Sequence, residues 1–131
     1  MAYDPKWWVL CARGDLDSGE IARAVHGESL TAKAAGPRNV IVVDKPSYGE
    51  FEVEIVIEQP SHAQEIIDLL DEKIRPRKDA KQIRASKGSL IIYWAAKDDS
   101  EILNTLATIE PRLAKALGPI WTYDPMSRRW V

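Results

Sequence analysis

Glu52, Glu54 and Glu58 alternate with Phe51, Val53, Ile55 and Ile57, a period of two that turns the apolar residues to one side of a strand and the carboxylates to the other. Crowded carboxylates repel one another, and glutamate is a weak strand former. A ridge of this kind calls for cations, either on neighbouring strands or on an external partner. Glu65 and Asp68 continue the acidic character on the polar side of the next segment, whose apolar positions Ala63, Ile66, Ile67, Leu70 and Ile74 follow helical spacing. The chemistry open to these groups is electrostatic: they can cover a basic surface and speed its approach.

The sign of the charge then reverses. Glu50 to Glu72 holds eight acidic residues and neither Lys nor Arg, whereas Lys73 to Lys87 holds seven basic residues against the single Asp79. Arg75, Arg77, Lys81 and Arg84 could contact phosphates, which makes nucleic-acid binding the alternative reading. A structural explanation competes with it: the block can neutralise the acidic helix and guard an edge strand, where Lys and Arg discourage pairing between sheets. No aromatic residue interleaves the block, as base stacking on a single strand would require.

Covalent and metal chemistry find little support. The only histidines, His26 and His62, have no ligand or nucleophile at an informative spacing, no serine lies in a nucleophile elbow, and the glycines fall where turns are expected. Cys11 stands among Trp8, Val9, Leu10 and Ala12, the setting of a packed thiol that behaves as a small hydrophobe. No motif calls for a metal or a cofactor. An enzyme whose site assembles from scattered residues is the third reading, behind the two binding ones.

The chain has 131 residues and a formal net charge of −2, enough length for one sizeable core in a single domain spanning 1–131. A lone cysteine and the lack of an apolar stretch of bilayer length lead to the expectation of a soluble protein of the cytoplasm, with no membrane partner. Of five tryptophans, Trp7, Trp8 and Trp94 fall in apolar runs. Trp121 and Trp130 lie near the C-terminus, where they offer either a dimer or partner surface or packing onto the last helix.

The elements that must position these groups follow from pattern. Trp7–Ala12 is apolar at successive positions, as in a strand covered on both faces. Asp17 and Glu20 form a capping signal for a short helix ending near Gly27, the stretch from Glu28 to Ala35 is ambiguous, and Val40–Val43 is a β-branched strand. Turn formers from Asp44 to Gly49 make a hairpin with the strand that carries the ridge. Pro60 ends that strand, and Ser61 with Gln64 suggests a capping box for the next helix, which Pro76 ends. Gln82–Ala85 and the apolar run Leu90–Ala96 read as a second hairpin around Ser86–Gly88. Asp98, Asp99 and Ser100 offer N-caps to a long helix that Pro111 should bend or divide and Gly118-Pro119 ends, and Ile120–Tyr123 with Arg129–Val131 closes the chain as a hairpin.

The expected architecture is α+β: a mostly antiparallel sheet of about five to seven strands with two main helices on one face, a ferredoxin-like arrangement being one layout that satisfies it. The expected function is that of a non-enzymatic protein-binding module. One form of it is an inhibitor or immunity-type protein that covers a basic surface of a partner such as a toxin domain, through Glu52, Glu54, Glu58, Glu65, Asp68, Trp121 and Trp130.

Overall fold

The computed structural model describes residues 5–45, 50–94 and 99–131. Its elements in chain order are β1 (Pro5–Cys11), α1 (Ser18–Val25), β2 (Leu30–Ala34), β3 (Asn39–Asp44), β4 (Phe51–Ile57), α2 (Pro60–Leu69), α3 (Asp71–Ile74), α4 (Ala80–Arg84), β5 (Gly88–Trp94), α5 (Asp99–Leu117), β6 (Ile120–Asp124) and β7 (Arg129–Trp130). The strands form one antiparallel sheet in the order β2-β3-β4-β5-β1-β6-β7. This is the α+β class and the antiparallel sheet that the sequence led us to expect. Of the expected features, the turn formers Pro46–Gly49, the last residues Ala95 and Ala96 of the apolar run, the Asp98 cap, and the side chains of Phe51, Asp99 and Ser100 lie outside the described residues.

The two long helices divide between the faces of the sheet. On one face, Val9, Cys11, Val53, Ile55, Leu90, Ile92 and Trp94 pack with Ile21 and Val25 of α1 and with Ile102, Leu106, Ile109, Leu113 and Leu117 of α5. On the other, Leu10 and Tyr123 pack with Ala63, Ile66 and Ile67 of α2, Ile74 of α3 and Ile83 of α4. The unbroken apolar runs of β1 and β5 are the cause. Consecutive side chains of a strand point to opposite faces, so a strand apolar at every position must be covered on both. With Val9 and Leu10 both essentially inaccessible, leaving either one in water would forfeit about 1.5–3 kcal/mol. A ferredoxin-like layout, with both helices on one face, would leave Leu10 and Tyr123 bare.

Local signals account for most boundaries. Asp17 caps α1, its carboxylate accepting the Glu20 N–H at 2.9 Å. The ambiguous stretch after α1 becomes edge strand β2, tied to the helix end by paired backbone bonds between Gly27 and Leu30. α2 starts without the expected capping box: Gln59 is its N-cap, Pro60 takes the first turn, and Gln64 donates to Asp68 instead. Pro111 lies within an uninterrupted α5 rather than dividing it.

The larger departure is at the expected strand Gln82–Ala85, which instead forms the end of the short helix α4 and its C-cap. Ile83 is its one fully buried residue and Ala80 packs beside it, a spacing of three that suits a helical turn. The basic residues of this block therefore guard no sheet edge.

Candidate functional site

α2, α3 and α4 cover only part of their side of the sheet. Their core draws on β1 and β6, and α2 also packs on β5, while among the described residues no helix packs over the β2-β3-β4 portion of the same face. Because Val53, Ile55 and Ile57 are committed to the α1/α5 core, the other residues of β4 and its extension, Glu52, Glu54, Val56 and Glu58, point to this uncovered face.

Register defines the surface. Glu54 stands level with Ile41 on β3 and with Tyr93 on β5, and Ile41 stands level with Lys33 on β2. The next row places Glu52 beside Val43 and Val43 beside Thr31. Glu52 is exposed, and Glu54, Glu58, Ile41, Val43, Val56 and Tyr93 are half-buried. The result is a shallow surface of aliphatic side chains crossed by carboxylates, with one phenol among them.

Neighbouring strands do not neutralise the ridge directly. Asn39 donates its side-chain N–H to Glu54, a neutral partner. Among the described residues, Glu52, Glu54 and Glu58 have no ion pair. Their field is visible at Tyr93, whose phenol is pushed above its ordinary pKa by burial first and then by Glu58 and Glu54, both of which oppose a phenolate. Glu65 and Asp68 are exposed on α2, on the same side of the sheet, with Asp68 accepting the Gln64 side-chain bond at 2.9 Å.

Trp121 and Trp130 have structural work inside the chain. The indole N–H of Trp121 donates to Asp79 Oδ2 at 3.0 Å, and that of Trp130 donates to the Lys73 carbonyl at 3.1 Å. Arg77 lies 4.7 Å above the Trp130 ring and binds Asp79 through two guanidinium nitrogens at 2.7 and 3.0 Å. These contacts hold the basic segment against the β6-β7 hairpin. Asp79 is held down at about 2, by the Arg77 hydrogen bonds first, with Trp121 adding to them.

The residues of the alternative nucleic-acid reading are largely engaged. Arg75 and Arg84 both bind Asp71, which lowers the Asp71 pKa through the Arg84 bond first and the Arg75 bond second. Arg77 is in the aromatic cluster, and Lys81 alone of the four has no partner among the described residues. The block neutralises local acids and packs on tryptophan.

Groups suited to covalent work are spent on structure. The Cys11 thiol is inaccessible and pushed up to about 12 by burial, against a smaller opposing effect of Arg13. His62 Nδ1 bonds Ser89 Oγ at 3.0 Å, and His26 Nδ1 accepts the Ala32 backbone N–H at 3.2 Å. No group of three or more His, Cys, Asp or Glu among the described residues could hold a metal ion, and no helix there is long and apolar enough to cross a membrane.

Tyr93, Ile41, Val43 and Lys33 belong to this surface and were not legible as site residues. Tyr93 was hidden in the apolar run of β5; its hydroxyl, the only polar tip between Leu90 and Trp94, was the available signal. Comparison of the chain with protein-family models, with curated proteins and with solved structures gave no match.

Proposed function

We propose that this chain is a non-enzymatic protein-binding module that docks a basic partner on the uncovered sheet face. The observation that carries the reading is the row of Glu52, Glu54 and Glu58 on the face that also carries Tyr93, which has no cation paired to it among the described residues and is flanked by half-buried Ile41, Val43 and Val56. Covering those aliphatic side chains contributes about 25 cal/mol per Å² of apolar area removed from water. The carboxylates set the sign of the partner and raise its association rate. Tyr93 supplies an aromatic ring on which a Lys or Arg can rest, and such aromatic residues anchor many interfaces. An inhibitor of the immunity type, which neutralises a toxin domain by occupying its cationic site, is the concrete form this chemistry suits best.

The test is a pull-down from the native source with the wild-type chain and with a Glu52→Gln, Glu54→Gln, Glu58→Gln variant as baits. A basic protein retained by the wild type and lost by the variant is expected. Equal retention by both baits would remove the acidic face from the binding surface.

A further inference from the structure

Among the described residues the sheet ends in two strands with no further strand beside them, and they differ in size: β7 has two residues, β2 has five. The Ala35 N–H donates to the Asn39 carbonyl at 2.8 Å and Lys33 stands level with Ile41, so the backbone groups of Thr31, Lys33 and Ala35 are turned to β3. Those of Leu30, Ala32 and Ala34 face outward. Leu30 exchanges both of its bonds with Gly27, at 3.0 and 2.9 Å. The Ala32 N–H is taken by His26 Nδ1 at 3.2 Å. Beside Ala34 the described residues provide no strand. The edge is closed at Leu30, held by one replaceable side-chain bond at Ala32, and open at Ala34.

Two exposed cations, Arg23 and Lys33, border this edge. A groove between α1 and β2 is lined by Ala22, Ala32 and Ala34 together with Arg23, His26 and Lys33. The nearest carboxylates are engaged elsewhere: Asp17 caps α1, Glu20 binds Arg13 at 2.8 Å, and Glu28 pairs with Arg112 at 3.5 Å. Arg23 and Lys33 are exposed and have no ion-pair partner among the described residues. Pairing β2 with a second copy of itself would bring like charges together across the new strands, whereas an acidic segment would gain from them. The edge is also preorganised. Ser18 Oγ donates to the Gly36 carbonyl at 2.8 Å and Arg112 Nη1 donates to the Val25 carbonyl at 2.6 Å, which fixes α1 at both ends.

We propose that β2 takes up an extended acidic segment of a partner protein as an added strand over Ala32–Gly36, with the His26 imidazole giving up the Ala32 N–H as the segment pairs. Only a polypeptide offers both the carbonyls and the N–H groups that such an edge presents in alternation. Lys33 borders both this edge and the acidic face, so the two readings are separated by Ala34→Pro, which leaves the β4 carboxylates in place, and by the Glu52→Gln, Glu54→Gln, Glu58→Gln variant, which leaves the β2 edge in place.

The full-length chain, labelled with nitrogen-15, would be titrated with a short end-blocked peptide alternating Glu and Val, and with its counterpart in which Lys replaces Glu. Saturable shifts centred on the Ala32 and Ala34 amides are expected with the Glu peptide, with binding of the Lys peptide weaker by about tenfold or more. Ala34→Pro removes an outward N–H without breaking a bond to β3, so it should keep the fold and abolish binding. Lys33→Glu leaves the backbone intact and should weaken the Glu peptide about tenfold. The proposal is overturned by no saturable binding up to about 1 mM, by equal binding of the two peptides, or by Ala34→Pro binding like the wild type. Dimerisation of the chain that Ala34→Pro abolishes would assign the edge to a second copy and overturn it as well.

Discussion

Tyr93 stands level with Glu54 across the β4-β5 pair, its phenol on the same uncovered face as that carboxylate. Burial, Glu58 and Glu54 together disfavour the phenolate, so the hydroxyl remains a donor among acceptors. The face therefore presents an aromatic ring bordered by negative charge, an environment that suits a Lys or Arg side chain better than any group of the chain's own seen beside it.

The Tyr93 titration reports this arrangement directly. Replacing Glu54 and Glu58 by Gln removes two of the three causes of the raised phenol pKa and leaves burial. The phenolate absorbance of Tyr93, isolated by difference from a Tyr93→Phe variant, should rise at a lower pH in the double variant than in the wild type. An unmoved titration would mean that the carboxylates do not surround the ring.

The Asp79 cluster predicts a change in strong acid. The folded-state pKa of Asp79 is depressed to about 2 from 3.8, so the stabilisation it brings is complete above the unfolded value and is lost as the pH falls through the folded one. Protonation removes the acceptor of the Trp121 indole and the partner of Arg77, which rests on Trp130. Tryptophan fluorescence should change between pH about 4 and about 2, and Asp79→Asn should abolish that transition.

Much of this molecule was legible in its pattern, and the misreadings have identifiable causes. The period of two in β3 and β4, the Asp17 cap and the apolar stripe of α5 each matched local structure to the face that had to be buried. The apolar runs of β1 and β5 already demanded cover on two sides, a demand that conflicts with placing both long helices on one face. Gln82–Ala85 was misread as a strand because a stretch with one large apolar residue, Ile83, has no period to measure. The tryptophan cluster was hidden for a different reason: Trp121 and Trp130 meet Asp79, Lys73 and Arg77 only through the tertiary fold. Lone glutamates on a strand could be read as a ridge, but whether cations faced them depended on strand order.

Gly88 provides a test of close packing that composition did not reveal. It opens β5 opposite Cys11, and a Cβ there would lie 2.4 Å from the Arg13 carbonyl oxygen and 2.9 Å from a Leu16 methyl group. The carbonyl belongs to the backbone and cannot swing aside. Gly88→Ala should cost about 1–3 kcal/mol in denaturant unfolding, whereas Gly36→Ala, with nothing within 4 Å of the new methyl group, should leave stability nearly unchanged.

A buried polar pair joins α5 to the end of β3. Thr105 donates its hydroxyl to Asp44 Oδ2 at 2.6 Å, and Asp44 Oδ1 has no partner among the described residues. Removing the hydroxyl while keeping the shape, as in Thr105→Val, leaves a buried carboxylate without its bond and should lower stability by about 1–3 kcal/mol. Thr108→Val, on an exposed bond to the Asn104 carbonyl, should cost much less in the same assay.

Docking of a basic partner on the β4 face is tested most directly by the association rate of the protein recovered in the pull-down, measured by stopped flow at increasing salt. The wild-type rate should fall steeply as salt screens the carboxylates, and the Glu52→Gln, Glu54→Gln, Glu58→Gln variant should associate more slowly at low salt with a flatter dependence. Identical rates and salt dependence for the two chains, or recovery of no basic protein at all, would contradict it.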